Sequence, residues 1–424
     1  MTTGNGAETE SGRAVAAAHG GYGREPSPYA RTAPHPAAHP PVYPPSAPPT
    51  EIERALSAAV AGGSADAVVE LLARTRLYVL VARLHADVPG WTAPLPAIRD
   101  EASGRTCVPV LTQGMLPPWH PEWVFREVSL GGLARVWPYD VRRLAVNHGT
   151  PYAAMVDARP KRLKAWVRAD EHSGGAQRRV LLTDVGGPLH GPLAHGLALG
   201  AHLAVANGLI WNRLGAAYED YATDRARLRS PWGIPHRAEY RDRLASLMKN
   251  QLVGRVQEAV LRTRHTLAHR LGRTPAREEW SDAVAHALAA RDAEDRAVAD
   301  RALRHVTLYE AKFRADGVLA PDDRVDTLAA FDLGRAVNVV RLALGARYGD
   351  PHEAEQDVLR LGQQARAAYS SWADFSLGYL MARVVHRAED DGPEAAETTY
   401  RQSLAEHHIL TQDPTSPYRN IPWS

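Results

Sequence analysis

Cysteine is almost absent from this chain of 424 residues, since Cys107 is the only one. A single thiol excludes an intramolecular disulfide framework, CxxC redox chemistry and a cysteine-rich zinc site. The first residues, MTTGNGAETESGR, lack the basic and then apolar pattern of a secretory signal. We therefore expect a protein of the reducing cytoplasm.

An excess of charge of one sign is also lacking, because 50 lysines and arginines nearly balance 48 aspartates and glutamates. No net field therefore points to nucleic acid, a membrane or an acidic substrate as the partner. The longest apolar passage, residues 193–210, is interrupted by histidine, glycine and asparagine, whereas a membrane-spanning helix needs about 20 mainly apolar residues. We predict a buried helix here and no membrane partner.

The common catalytic signatures are missing as well. There is no GxxxxGK[ST] phosphate loop, no GxGxxG, no HExxH zinc helix and no GxSxG serine turn. His265 and His269 have a spacing that could place two imidazoles on one metal ion. Their surroundings, RTRHTLAHRLGR, are instead typical of a basic helix face, which opposes a cation. The sequence predicts no metal and no cofactor.

Residues 1–50 become rich in proline, as in PSPYARTAPHPAAHPPVYPPSAPP, and contain few branched apolar side chains. Such a segment buries too little apolar surface to offset its ordering entropy, so we expect a disordered tail with polyproline II character. It is either a spacer or, through PPVYPP at residues 40–45, a docking peptide for a proline-binding module.

Residues 51–169 mix two patterns. Helical spacing starts with Ile52, Leu56 and Val60, and Ser64 is a candidate N-cap for the next helix. Four runs rich in β-branched or aromatic residues are typical of strands, namely 76–84, 106–112, 142–149 and 151–158. A helical turn at 129–138 and a helix at 159–169 complete a compact mixed α/β domain.

The order of these pieces resembles the SseB-type N-terminal domain over about residues 68–167. The resemblance is carried by a strand with Tyr78, by VPVLT at 108–112, and by GLARVWP at 132–138 leading into LAVNHGTP at 144–151. It implies no agreed enzymatic activity. The segment TQGMLPPWHPEW, residues 112–123, departs from the usual pattern of that domain.

Residues 170–191 form a predicted linker with at most one strand, and residues 192–424 show only helical periodicity. The predicted helices are 193–208, 214–229, 237–252, 256–271, 276–290, 294–314, 324–347, 353–370, 372–387 and 394–408. Thr274-Pro275 and Asp350-Pro351 are each expected to supply an N-cap and a first-turn proline.

This helical part resembles an uncharacterised bacterial family, numbered 1266 among the domains of unknown function. The motifs that carry the resemblance are ANGLIWNRLGAAYEDY at 206–221, PWGI at 231–234, FDLGRAVNVVR at 331–341, SSWADFSLGY at 370–379 and SPYRNIPW at 416–423. The resemblance implies a helical fold and no known function.

Two of these motifs contain charged and polar residues at helical spacing. Asp332 or Asp374 could serve as a general base, if the protein is an enzyme. The candidate binding residues around them are Arg335, Asn338, Arg341, Tyr379 and Arg383. Because an unpaired buried charge costs several kcal/mol, the same residues could instead form a sealed ion-pair network that fixes helix register.

Two basic stretches could contact phosphates. The first surrounds Trp166 and contains Arg159, Lys161, Arg162, Lys164 and Arg168; the second contains Arg255, Arg262, Arg264, Arg270 and Arg273. Acidic residues flank both, and neither forms a recognisable reading head, so nucleic acid is a weak candidate partner.

The sequence thus predicts an α+β chain: a disordered tail, a small mixed α/β domain and an all-helical domain. The leading functional hypothesis is a cytoplasmic, non-enzymatic interaction or regulatory protein with protein partners. The alternatives are a hydrolase-like enzyme acting on an anionic small molecule through the Asp/Arg cluster, and a weak nucleic-acid binder.

Overall fold

The N-terminal part of the chain is built around one sheet. We analysed a computed structural model that describes residues 48–88, 94–173, 179–215, 220–251 and 253–424, so most of the predicted tail lies outside the described residues. The strands are β1 Leu77–Ala82, β2 Ile98–Arg99, β3 Thr106–Thr112, β4 Trp123–Val128, β5 Arg143–Val146 and β6 Ala154–Asp157. Their order is β4-β1-β3-β5-β6, with β2 paired to β3, and only β3 and β5 run parallel.

The four predicted strand runs are confirmed as β1, β3, β5 and β6. Strand β4 was not predicted, because the prolines just before it hide a short apolar pattern. It pairs with β1 along its whole length, from Trp123 opposite Ala82 to Val128 opposite Leu77. That pairing joins residues about 45 positions apart, so no local pattern could indicate it.

Helices cover one face of the sheet. They are α1 Glu51–Ala61, α2 Ala65–Ala73, α4 Leu130–Arg135 and α5 Pro160–Ser173; the short helix α3 Arg83–Ala86 directly follows β1. Ser64 caps α2 as predicted, since its Oγ accepts the N–H of Ala67 at 3.2 Å. Alternate residues of β1 point to opposite faces: Leu77 and Val79 join the core beneath α1, α2, α4 and α5, whereas Tyr78 packs on the other face.

The rest of the chain is helical, which confirms the predicted fold class. The helices are α6 Gly191–Ala198, α7 Ala201–Asn207, α8 Tyr221–Arg229, α9 Arg237–Met248, α10 Arg255–Leu271, α11 Arg277–Ala287, α12 Ala293–Ala315, α13 Ala329–Gly345, α14 Pro351–Ala368, α15 Trp372–Asp391, α16 Pro393–Gln412 and α17 Pro417–Asn420. Helix α13 is the centre, and α7, α8, α9, α14 and α15 pack around it. Among the described residues, no helix combines the length and apolarity needed to cross a bilayer.

Several helix boundaries differ from the predictions. The predicted helix 193–208 is two helices, because the chain turns at Gly200, where an added Cβ would lie 3.0 Å from Val337. Helix α11 is not capped by Thr274: Ala276 is at the N-cap position, and its N–H is bound by Glu279 at 2.7 Å. Asp350 does cap α14, through the N–H groups of His352 and Glu353, and Pro351 follows as predicted.

Arg213 holds the sheet part and the helical part together. Its guanidinium donates to the carbonyl oxygens of Gln113 at 2.7 Å and Leu116 at 2.8 Å, while its Nε lies 3.3 Å from the carboxylate of Asp184. Gln113 and Leu116 lie just after β3, in the sheet part, whereas Asp184 lies in the predicted linker. All described residues belong to one compact unit.

Replacing Arg213 by alanine should lower the free energy of unfolding by about 2–4 kcal/mol, because two buried carbonyl oxygens and one carboxylate lose a charged donor. Guanidinium denaturation measures the change. The control Arg54→Ala removes an exposed guanidinium paired only with Glu51, and should cost about 0.5 kcal/mol or less. Equal effects of the two substitutions would contradict this role of Arg213.

Candidate functional site

Asp332 and Arg335 form an internal pair at the start of α13. The carboxylate of Asp332 is fully buried, pairs with Arg335 and accepts the N–H of Val253 at 3.1 Å. The guanidinium of Arg335 lies over the ring of Phe331, 4.0 Å from its centroid. Asp332 therefore ties the segment before α10 to the central helix, and its carboxylate is closed to solvent.

Farther along α13, Arg341 takes part in a different contact. Its buried guanidinium donates to the carbonyl oxygen of Trp211, in the segment after α7. Asn338 lies one turn before it and is half-buried. Residues spaced by three drift around a helix, so the two ends of this set face different neighbours.

Asp374 forms hydrogen bonds at the N-terminus of α15. Its carboxylate accepts the N–H of Ser370 at 2.9 Å and the hydroxyl of Ser370 at 3.0 Å, while its own N–H is bound by Ser371. These reciprocal bonds satisfy free N–H groups at a helix start. Asp374 thus has a capping role in the described structure.

Tyr379 and Arg383 lie on another face of α15. The Tyr379 ring stacks on His202 at 4.3 Å, and Arg383 donates to the carboxylate of Glu406 at 2.7 Å. Across the described residues, six of the seven candidates are thus divided among four places: the Asp332 pair, the Arg341 contact, the Asp374 cap and the side of α15 that faces His202 and Glu406. The seventh, Asn338, lies one turn before Arg341. The structure does not bring them together at one opening.

A buried polar cluster that was not among the predicted sites lies beside Tyr379. Ser376 Oγ is 2.8 Å from Nε2 of His202 and 2.7 Å from Nδ1 of His407. On the other side of its ring, Nδ1 of His202 faces the Glu406 carboxylate at 3.8 Å. We call Ser376, His202, His407 and Glu406 the Ser376 cluster; its residues come from α7, α15 and α16.

One arrangement of protons suits neutral histidines in the Ser376 cluster. His202 must carry its proton on Nδ1, since a lone pair there would face the Glu406 carboxylate. Its Nε2 then accepts the hydroxyl proton of Ser376, and Ser376 Oγ in turn accepts Nδ1–H of His407. A serine, a histidine and a carboxylate therefore stand in the order used by serine hydrolases.

Electrostatics keep both histidines neutral. Burial lowers the pKa of His202, and it lowers the pKa of His407 to about 3. Burial opposes ionisation of Glu406, but the nearby His202 ring and the charge of Arg383 outweigh it and lower the pKa of that carboxyl. The cluster thus holds one carboxylate, paired with Arg383, and two uncharged imidazoles.

The C-terminal segment packs against this region. Tyr418 of α17 stacks on Trp372 at 4.5 Å, and Trp372 Nε1 donates to the carbonyl oxygen of Ile421 at 2.7 Å. Trp423 Nε1 donates to the carbonyl oxygen of Tyr369 at 2.9 Å. Because the four members of the Ser376 cluster are at most 5% exposed, a substrate cannot reach Ser376 in this state.

Two isolated polar residues are a weak signal for this cluster in the sequence. His202 interrupts an apolar passage, and Ser376 is a lone hydroxyl between apolar residues of α15. Isolated polar residues in apolar helices need partners, yet only the packing of three helices decides which partners they find.

The second basic stretch is not one continuous face. Arg264 is buried, forms a double ion pair with Glu310 at 2.7 and 3.0 Å, and donates to the carbonyl oxygen of Val325. His265 pairs with Asp326 at 3.1 Å. Within the part of the chain that the structure describes, no three His, Cys, Asp or Glu side chains are grouped to hold a metal ion.

A groove of about 280 Å³ lies beside strand β6. It is lined by Ala59, Val60, Gly63, Ser64, Ala65, Val68, Val69, Ala154, Met155, Val156, Asp157, Arg162 and Trp166. Val60 is 44% exposed and Met155 is 41% exposed. The buried Trp166 Nε1–H finds no hydrogen-bond partner among the described residues. We call this feature the β6 groove.

The fold and these sites define a protein with a mixed-sheet part and a larger helical part. Residues 227–423 match the model of a family described as "Protein of unknown function (DUF1266)", as the resemblance of the helical part predicted. No curated protein and no solved structure shows significant similarity to the chain. The likeness of residues 68–167 to the SseB-type domain is not confirmed by these comparisons.

Stability should depend on pH through His407. Its folded pKa of about 3 lies below the ordinary 6.5, so the unfolded chain binds more protons between these values, and stability falls as the pH drops below about 6.5. His407→Asn keeps an N–H donor for Ser376 without titrating, so the loss of unfolding free energy between about pH 7.5 and pH 5 should be smaller than in the wild type.

Urea denaturation at both pH values measures this difference. The same substitution at exposed His352 is the matched control and should leave the wild-type pH dependence unchanged. A His407→Asn protein with the full wild-type slope would show that His407 titrates normally in the folded state.

Ser376 should not react in the native protein. A fluorophosphonate probe needs an open approach to the serine oxygen, and none exists at a fully buried hydroxyl. We expect no labelling by intact-mass spectrometry at neutral pH, for either the wild type or Ser376→Ala. Stoichiometric labelling that Ser376→Ala abolishes would instead identify a working serine nucleophile.

Proposed function

We propose that this protein is a non-enzymatic interaction module and that its partner binds at the β6 groove. The observation that carries the proposal is the open edge of β6, which borders an apolar groove. No described strand pairs with the outer edge of β6. An edge of this kind offers unpaired backbone N–H and C=O groups to another chain.

The opposite edge of the sheet makes a useful contrast, because the helical part covers it. The N–H of Glu127 in β4 is bound by Asp220 at 3.2 Å, and the carbonyl oxygen of Trp123 accepts from Arg347 at 2.5 Å. The Trp119 indole also donates to the carbonyl oxygen of Leu344 at 3.0 Å. Thus β4 has intramolecular partners, whereas β6, at the other end of the strand order, has no described strand on its outer side.

The positions of the candidate catalytic groups favour this proposal over the enzyme alternative. A general base needs access to a substrate proton, yet Asp332 is buried and paired, and Asp374 is engaged at a helix start. The proposal includes a cytoplasmic location, where a reduced thiol such as buried Cys107 is stable.

The test is selection from a random peptide library on the immobilised full chain, followed by fluorescence anisotropy of the selected peptides. Val60→Arg places a long charged side chain in the β6 groove, and should weaken binding at least about tenfold, equal to about 1.4 kcal/mol. Because Val60 is 44% exposed, the substitution should leave the fold intact, which circular dichroism checks.

Leu84→Arg is the matched control. It makes the same kind of change at a side chain that is 78% exposed and does not line the groove, so binding should be unchanged. The proposal fails if no peptide is selected, or if Val60→Arg and Leu84→Arg bind the selected peptides equally well.

A further inference from the structure

We propose, resting on the proposed function above, that the partner is an acidic segment. An extended stretch of the partner pairs with β6 and places an apolar side chain in the β6 groove. Aspartates or glutamates beside that stretch meet the cations of α5. Two observations carry this inference: the charges of α5 and the apolar walls of the groove.

Helix α5 carries more cations than its neighbours neutralise. Arg159 pairs with Asp157 at 2.5 Å, and Arg162 pairs with Asp66 at 3.0 Å. The remaining cations are all exposed and form no ion pair with any described residue; they are Lys161, Lys164 and Arg168. We call these three residues the α5 cations.

The α5 cations are arranged as a stripe. Positions i, i+3 and i+7 lie on one side of a helix, so the stripe runs along α5 for about 10 Å. That length equals about three residues of an extended chain. The α5 cations lie on the exposed side of α5. Two other residues of the same helix, Arg162 and Trp166, line the β6 groove. A chain leaving the groove over Arg162 therefore reaches the α5 cations within one helix diameter, about 10 Å.

The groove itself selects for peptide rather than for a bare phosphate chain. Its walls are mainly alanine and valine, together with Met155, which suit an aliphatic side chain. A nucleic acid backbone would gain from the cations but not from the apolar walls of the groove.

Binding through complementary charges depends on salt. Attraction between exposed charges is screened over about 8 Å at physiological ionic strength, so the acidic preference must weaken with added salt. The apolar contact in the groove does not weaken in this way. Salt and charge reversal therefore separate the acidic preference from binding at β6 itself.

The experiment repeats the peptide selection with a triple charge reversal, Lys161→Glu, Lys164→Glu and Arg168→Glu, in the full chain. We expect wild-type selections to be enriched in Asp and Glu beside an apolar core. The triple variant should lose that enrichment and bind wild-type-selected peptides at least about tenfold more weakly at low salt, with a smaller difference at high salt.

The matched control reverses three other exposed arginines, none of which forms an ion pair with a described residue: Arg262→Glu, Arg270→Glu and Arg277→Glu. It changes the net charge equally but lies in the helical part, so it should retain the acidic preference. If it loses that preference as fully as the α5 variant, net charge alone is responsible and the inference is wrong.

The remaining outcomes are distinct. Peptides that depend on Val60 but show no acidic enrichment overturn the acidic partner and leave the proposed function standing. Failure to select any peptide that depends on Val60 overturns the proposed function itself. Binding of a single-stranded oligonucleotide that the α5 reversal abolishes and Val60→Arg leaves unchanged would replace the acidic peptide by nucleic acid.

Discussion

Helix α13 is buried on nearly every side, and this constraint shapes the rest of the helical part. Fifteen of its 17 residues are buried, including the charged Asp332 and Arg341. A charge inside such a helix must find a partner within the protein, because its desolvation costs several kcal/mol. The N–H of Val253 and the carbonyl oxygen of Trp211 supply two of these partners, and they also fix the loops that contain them.

The same requirement explains the Ser376 cluster. Its serine, two histidines and glutamate lie between packed helices, and each is hydrogen-bonded or ion-paired to another member or to Arg383. A triad-like order of groups is therefore compatible with a purely structural role. What separates this cluster from a working hydrolase site is access to Ser376, and the tight packing that satisfies the polar groups also excludes substrate.

The contacts between the sheet part and the helical part make the two edges of the sheet different. Arg213 and Arg347 bind backbone carbonyl oxygens of the sheet part, and Asp220 binds an N–H of β4. These contacts cover one edge of the sheet and leave β6, with its groove and its basic neighbour α5, facing outward. The surface proposed for a partner thus lies at β6 because the helical part contacts the other edge, at β4.

The sequence by itself determined the fold class, four of the strands, most of the long helices and caps such as Ser64 and Asp350, because these depend on local periodicity and on side chains near their own backbone. It also indicated that Asp332, Arg335, Arg341 and Arg383 need partners or a pocket. Only the tertiary structure decided between those alternatives, since partners such as Val253, Trp211 and Glu406 come from other segments of the chain. Strand β4, the Ser376 cluster and the β6 groove likewise arise from contacts between residues far apart in the chain, and no local pattern encodes such contacts.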